Sequence, residues 1–285
     1  MKNFFIITNE HKDENLYVTK GIREYILGRG GTCYYFVSSE RTWHEDGNRK
    51  MPAGIPEATE CILVLGGDGT LVRAGRDLAN LGIPMIGVNL GKLGYLCELE
   101  TAGLIPAIDR IFENAFDIES RMLLEGCEIR DEEFGSPVCA LNDIVIHRTG
   151  NSQLIDLDVS VNGEYLATYG ADGIILATPT GSTGYNMSAG GPIVDPKADL
   201  ILITPINSHD IASKSIVVGA DANITVEMKA RRTERDETAE VSFDGDRIIR
   251  MKVGDKILIK KAPTETKILK LNRVSFLQNL RRKMS

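Results

Sequence analysis

Short continuous apolar runs separated by helical stretches fill the first part of the chain. FFIIT at 4–8 has β character, and a helical stretch follows over roughly 13–28, ending among Gly28, Gly30 and Gly31. CYYFV at 33–37 reads as a second strand, and CILVLGGDGT at 61–70 as a buried strand running into glycines. Leu71 to Leu81 reads as a helix, PMIGVNLG at 84–91 as the next strand, and 102–117 as a closing helix. A polar loop rich in Gly and Pro occupies about 39–57. Strands that are apolar throughout, alternating with helices, predict a parallel sheet covered on both faces.

From about residue 119 the pattern changes. LLEGCEIR, ALNDIVIHR, LIDLDVSVNGEYL, DGIILATP, DLILITPI, ITVEMKA, AEVSFDGDRIIRM and DKILIKKA are short runs, several of them alternating, punctuated by Gly, Asn and Pro. They predict a β-rich, sandwich-like or meander domain. LKLNRVSFLQNLRRKMS at the end turns helical. The expected organisation is an α/β domain over 1–118 and a β-rich domain over 119–268. A tail over 269–285 would return to the first domain.

Composition narrows the class. The chain has 285 residues, 42% of them hydrophobic, 26% charged and 6% aromatic, with a formal net charge of -7. That is an ordinary globular balance. No apolar run approaches the roughly 20 residues of a membrane span. The opening MKNFFIITNEHKDEN carries too short an apolar stretch for a signal peptide, so a cytoplasmic location is expected. The densest basic clusters, Arg231-Arg232 and Arg281-Arg282-Lys283, are short, which argues against nucleic acid as a partner. The five cysteines form no CxxC pair, so reduced thiols are expected in place of disulfides or a structural zinc site.

The strongest chemical signal is Gly66-Gly67-Asp68-Gly69-Thr70, between an apolar strand and a helix. The glycines allow close backbone approach, and a helix N-terminus offers free N–H groups to a phosphate. An acid there does not help bind a polyanion, which points to metal holding or to proton abstraction from an attacking hydroxyl. The alternative is a tight turn in which Asp68 caps the helix. GxxxxGK[ST] is absent, and no GxGxxG follows the first strand, so neither a P-loop nor a Rossmann hydride-transfer site is indicated. Thr178-Pro179-Thr180-Gly181-Ser182-Thr183-Gly184-Tyr185-Asn186 forms a hydroxyl- and glycine-dense loop in which Tyr185 offers a ring for a base. A surface turn is the competing reading. Asn142-Asp143 interrupts an apolar strand, and Asp172 precedes another. Each is a ligand candidate, with a turn or bulge as the alternative.

Together these segments resemble the ATP–NAD kinase family. GGDGT, IGVNLGKLGYL (86–96), Asn142-Asp143, DGIILATPTGSTGYNMSAGGPIV (172–194) and ITPINSH (203–209) stand in the family's order. The resemblance implies transfer of the γ-phosphoryl group of ATP to the 2′-hydroxyl of the adenosine ribose of NAD, giving NADP, with Mg²⁺ as the expected divalent ion. It implies Asp68 as general base, and Gly66, Gly67, Gly69 and Thr70 as the loop facing the phosphates. The implied NAD-binding set is Asp68, Gly69, Tyr95, Asn142, Asp143, Asp172, Thr183, Gly184, Tyr185 and Ser188. Asp172 is implied to act near the nicotinamide end across a subunit contact, in a homodimer or homotetramer. Relatives more often carry Glu at 143, Ala at 184 and an amide at 246, where this chain has Asp143, Gly184 and Asp246. A GGDGT-type lipid kinase and a non-catalytic NAD(P)-binding regulator are the alternative functions.

Overall fold

The computed structural model describes residues 1–38, 54–91, 94–97, 99–150, 154–210, 213–231, 237–271 and 275–284. Most of the polar loop expected at 39–57 therefore lies outside the described residues. The chain divides into two compact units, 1–120 with 266–285, and 121–265.

In the first unit the apolar runs become parallel strands. They are β1 (Asn3–Asn9), β2 (Thr32–Ser38), β3 (Cys61–Gly66) and β4 (Met85–Asn89), in the order β4-β3-β1-β2, with β5 (Leu99–Glu100) beside β4. Near the end of the chain Ile268 pairs with Met85. The helices are α1 (Tyr17–Gly28), α2 (Asp68–Asp77), α3 (Leu104–Phe112) and a terminal one at Phe276–Met284.

Both faces of this sheet are covered, which explains its uninterrupted apolar strands. Phe4, Ile6, Leu63 and Leu65 pack with Ile22 and Ile26 of α1 and with Ile108 and Ile111 of α3. The alternate residues Phe5, Ile7, Ile62 and Val64 meet Leu71, Ala74 and Leu78 on and just after α2. Each such side chain contributes roughly 1.5–3 kcal/mol by leaving water. Asp13 opens α1, accepting bonds from the Val18 and Thr19 amides and the Thr19 hydroxyl. No helix among the described residues is long and apolar enough to cross a membrane.

The second unit is antiparallel. Its strands are β6 (Asp117–Arg130, entering from the first unit), β7 (Glu133–Phe134), β8 (Val138–Ala140), β9 (Asp143–Arg148), β10 (Ile155–Val161), β11 (Glu164–Ala171) and β12 (Gly173–Ala177). They continue with β13 (Leu200–Ile206), β14 (Ile216–Gly219), β15 (Ile224–Lys229), β16 (Thr238–Phe243), β17 (Arg247–Lys252) and β18 (Lys256–Lys270, leaving to the first unit). One sheet runs β14-β13-β12-β9-β16-β17, and β11, β10, β15 and the start of β18 form a second ladder. Ile144, Ile174 and Val241 of the first share one core with Leu157, Val226 and Ile257 of the second. The packing is sandwich-like.

Three of the runs are broken, among them AEVSFDGDRIIRM, which turns at Asp244 and Gly245 between β16 and β17. LIDLDVSVNGEYL is a hairpin turning at Asn162 and Gly163, both at positive φ (53° and 82°) as a primed turn requires. ALNDIVIHR divides into β8 and β9, so Asn142 stands in the gap and Asp143 opens β9. The strand at β14 was not foreseen. The described cysteines form no disulfide, and burial pushes Cys33 and Cys61 up to about 12.

Candidate functional site

The glycines where β3 ends are required by close contacts. A β-carbon on Gly66 would overlap the Thr70 side chain, and one on Gly67 would lie 2.7 Å from Lys12 Nζ. Gly67 is the N-cap of α2 and Asp68 its first residue, with no side-chain capping bond. The capping alternative is thus not what the fold uses. The Asp68 carboxylate instead accepts the backbone N–H groups of Tyr95 (2.5 Å), Leu96 (3.2 Å) and Cys97 (3.0 Å). A β-carbon on Gly94 would overlap that carboxylate. The NLGKLGYL segment therefore forms a backbone cradle for the acid, although its Lys92 and Leu93 lie outside the described residues. Tyr95 takes part through its amide, and Lys283 Nζ sits 5.6 Å from its ring centroid.

This cradle leaves the acid usable. A carboxylate offers about four lone-pair positions, and backbone donors take three of those on Asp68. A further neighbour is the Cys97 thiol, whose pKa is raised by burial first and by the Asp68 charge second. A thiol is a weak donor, so an incoming hydroxyl competes with little.

In the second unit a cavity of about 760 Å³ gathers Asn142, Asp143, Asp172 and Tyr185 with Arg148 and Asp244. That volume lies within the range of small-molecule sites. Asp244, which the sequence reading did not single out, organises it. Its carboxylate accepts the N–H groups of Leu141 (2.9 Å), Asn142 (2.7 Å) and Asp143 (3.2 Å), pinning the gap between β8 and β9. Asp244 and Gly245 both have positive φ (53° and 69°), a conformation that Asp tolerates and Gly favours. The Asp-Gly pair in VSFDGDRI was the available signal.

Asn142 Oδ1 is buried and has no hydrogen-bond partner. Asp143 is only 6% exposed, and its pKa is pushed up to about 7 by burial and then by the Asp244 charge, while the Tyr185 amide works in the other direction. Asp172 behaves differently. Asn207 Nδ2 (3.0 Å) and Arg148 Nε (2.6 Å) both donate to it, and these bonds hold its pKa below the usual carboxylate value.

The hydroxyl-rich loop is largely occupied with its own folding. Thr178 Oγ1 donates to Leu141 O (2.6 Å) and accepts from Gly181 N (3.0 Å). Ser182 Oγ exchanges bonds with Val194, and Asn186 links Ser182, Pro192 and Thr204. Gly181 packs on the Asn142 carbonyl, where any β-carbon would overlap. Of the predicted residues in this loop, Tyr185 lines the cavity and is 47% exposed. Gly184 lies beside it, its β-carbon position 3.5 Å from Asp143 Oδ2. Thr183 Oγ1 bonds back to Thr180 O at 3.4 Å, and Ser188, an exposed residue, ends the short helix α4 (Tyr185–Ser188). Neither Thr183 nor Ser188 lines the cavity.

The chain is similar to known proteins along its whole length. The family model for the ATP-NAD kinase N-terminal domain matches residues 4–116, and that for the ATP-NAD kinase C-terminal domain matches 141–271. The chain is 50% identical to an NAD kinase of Agathobacter rectalis over 284 residues, covering 100% of this chain and 99% of the relative. It is 40% identical to an NAD kinase of Lachnospira eligens over 293 residues, covering 100% of both. Its fold resembles the crystal structure of an NAD kinase from Archaeoglobus fulgidus in complex with ATP, with a TM-score of 0.76 at 24% identity over 99% of this chain and 98% of that one. It also resembles yeast NADH kinase complexed with NADH, with a TM-score of 0.80 at 21% identity over 100% of this chain and 87% of that one. The chain belongs to the ATP–NAD kinase family, and it is an ATP-dependent phosphotransferase acting on NAD in NADP biosynthesis.

Proposed function

We propose that NAD binds with its adenosine in the cavity of the second unit and that Asp68 takes the proton of the 2′-hydroxyl. The O2′–P bond then forms as the bond from the γ-phosphorus to the bridging oxygen breaks, and ADP leaves. The observation that carries the acceptor site is the pairing of a buried, unpartnered Asn142 Oδ1 with the buried Asp143 carboxyl in one ligand-sized cavity. An orphaned acceptor is costly unless a ligand donor reaches it, and an amino or hydroxyl group of adenosine has that chemistry. Tyr185 offers its ring to the base, and Tyr95, Thr183, Gly184 and Ser188 complete the set that the family's motifs imply. Gly66, Gly67, Gly69 and Thr70 face the phosphates.

The Mg²⁺ of this reading arrives with the nucleotide. No group of three or more His, Cys, Asp or Glu residues among the described residues could hold a metal ion. Magnesium held chiefly by substrate phosphates would need few protein ligands, which leaves the open position on Asp68 to the hydroxyl. When bound, the ion would neutralise charge on the phosphoryl group.

A homodimer or homotetramer in the cytoplasm completes the proposal, with Asp172 near the nicotinamide end at a subunit contact. Val217 on β14 and Ile248 on β17, the two edges of the six-stranded sheet, are half exposed or more, as an association surface requires. Light scattering should give two or four chains per particle, and a monomer with full specific activity would refute this part.

The acceptor site is tested by Asn142→Ala and Tyr185→Ala. Both should raise KM for NAD roughly tenfold or more and leave KM for ATP within about twofold, because they remove ground-state contacts to one substrate. A change confined to ATP would show the two nucleotide sites to be reversed.

A further inference from the structure

We infer that Lys12 and Asn89 complete the donor-phosphate site, with Lys12 supplying the cation and Asn89 a buried amide donor to the phosphoryl oxygens of ATP. The inference rests on the reading that the GGDGT loop faces those phosphates.

Lys12 lies three residues beyond the end of β1, where its amide donates to Asn9 O at 3.0 Å. Its ammonium reaches over the neighbouring strand end, so that a β-carbon on Gly67 would lie 2.7 Å from Nζ. A side chain at 67 would displace it. The residue is exposed, and Lys12 forms no ion pair with a carboxylate among the described residues. Its charge is nevertheless felt at the Cys97 thiol, where it opposes the effect of Asp68. A cation placed beside an acid without pairing with it is available to a third, negatively charged group.

Asn89 ends β4 in register with Gly66, and the Leu90 amide donates to Gly66 O at 3.0 Å. Its side chain is 3% exposed. Oδ1 accepts from the Gly91 amide at 2.9 Å, which fixes the orientation of the amide group, and Nδ2 is left buried with no partner. Buried N–H donors without acceptors are rare because they forfeit their hydration. The orphan therefore asks for an acceptor oxygen next to Gly66.

The two groups flank the same two loop glycines, and α2 starts immediately beyond with Asp68 and Gly69, whose N–H groups precede the first intrahelical bond, from Thr70 N to Gly67 O. An ammonium, an amide donor and free backbone N–H groups at the carboxyl ends of parallel strands match a polyphosphate. They also resolve a conflict in the loop itself. Asp68 repels a polyanion, and Lys12 supplies the charge that offsets it.

The test measures binding of ATP and of inorganic tripolyphosphate by calorimetry without NAD, alongside steady-state kinetics. Lys12→Met keeps the length of an exposed side chain and removes its charge. It should weaken both ligands and raise KM for ATP by roughly ten- to a hundredfold, the usual weight of a charge-assisted contact. KM for NAD should stay within about twofold, and Lys12→Arg should recover most of the loss. Asn89→Asp keeps the acceptor for Gly91 and replaces the donor by an anion, so it should weaken tripolyphosphate at least as much. Wild-type affinity for tripolyphosphate in Lys12→Met would overturn the inference, and that variant decides even if Asn89→Asp proves unstable. Asp68→Asn separates the two levels. If it loses turnover while Lys12→Met binds normally, the loop reading stands and the role of Lys12 falls. If Asp68→Asn turns over at the wild-type rate, the base role fails, and if the unmodified chain itself does not bind tripolyphosphate, the loop reading fails.

Discussion

Asp68 and Gly94 are packed so closely that a β-carbon on Gly94 would occupy the space of the Asp68 carboxylate. The following amides of Tyr95, Leu96 and Cys97 then hold that carboxylate through both of its oxygens. The acid is aimed by backbone donors, which cannot rotate away as a side chain could.

Gly94→Ala should therefore displace Asp68 without touching any nucleotide directly. A misplacement of about 1 Å at the reacting group costs on the order of a hundredfold in turnover. The expected outcome is a fall in kcat of that size with ATP affinity retained, read by steady-state kinetics and calorimetry. Unchanged kcat would show that the cradle does not set the geometry of the acid.

Asp244 holds the Asn142-Asp143 gap by accepting three amides, so its loss leaves partly buried N–H groups unpaired. Asp244→Ala should destabilise the protein by at least about 1–3 kcal/mol in chemical denaturation. It should also raise KM for NAD more than KM for ATP, because Asn142 loses its support. Normal stability would mean that the gap holds its shape without the carboxylate.

Asp143 gives stability a pH signature. Its folded pKa is raised from 3.8 to about 7, so the folded state keeps a proton that the unfolded state releases. Stability from this group is largest below about pH 4 and declines as pH rises through the window from 4 to 7. Asp143→Asn should flatten the pH dependence of the unfolding midpoint across that window and raise the midpoint at pH 8. An unchanged profile would show that Asp143 is ionised throughout. Asp143→Glu should keep activity within about 1–3 kcal/mol in kcat/KM, since one added methylene keeps the carboxyl and changes only its reach.

The fold was legible wherever neighbours in sequence carry the signal. Phe4–Ile7 and Cys61–Leu65 are apolar at every position because α1, α3 and α2 cover both faces, and that pattern needs no long-range knowledge. GIILA became β12 with its bounds as read. The strand breaks at Asn142 and at Asn162-Gly163 were harder, because apolar residues continue on both sides. The site was legible as a set of residue types and less so as a set of contacts. Asp68 meets its amide partners at positions 95–97, and Asp244 meets its own at 141–143, about a hundred residues away. Spacing along the chain carries no trace of such pairings. The Ser/Thr/Gly loop looked rich in free donors, yet Thr178, Ser182 and Asn186 are tied into the loop and its neighbours.

The central claim is that Asp68 acts as the base for the 2′-hydroxyl of NAD while the surrounding loop binds the donor. The most direct measurement is the rate of ATP-dependent NADP formation by Asp68→Asn, with ATP binding and thermal unfolding followed on the same preparation. The account predicts a fall in kcat of about 10²–10⁴-fold, the range for a lost general base, with ATP bound at least as tightly as by the unmodified chain and a single cooperative unfolding transition retained. Turnover close to normal in that folded, ATP-binding variant would contradict it.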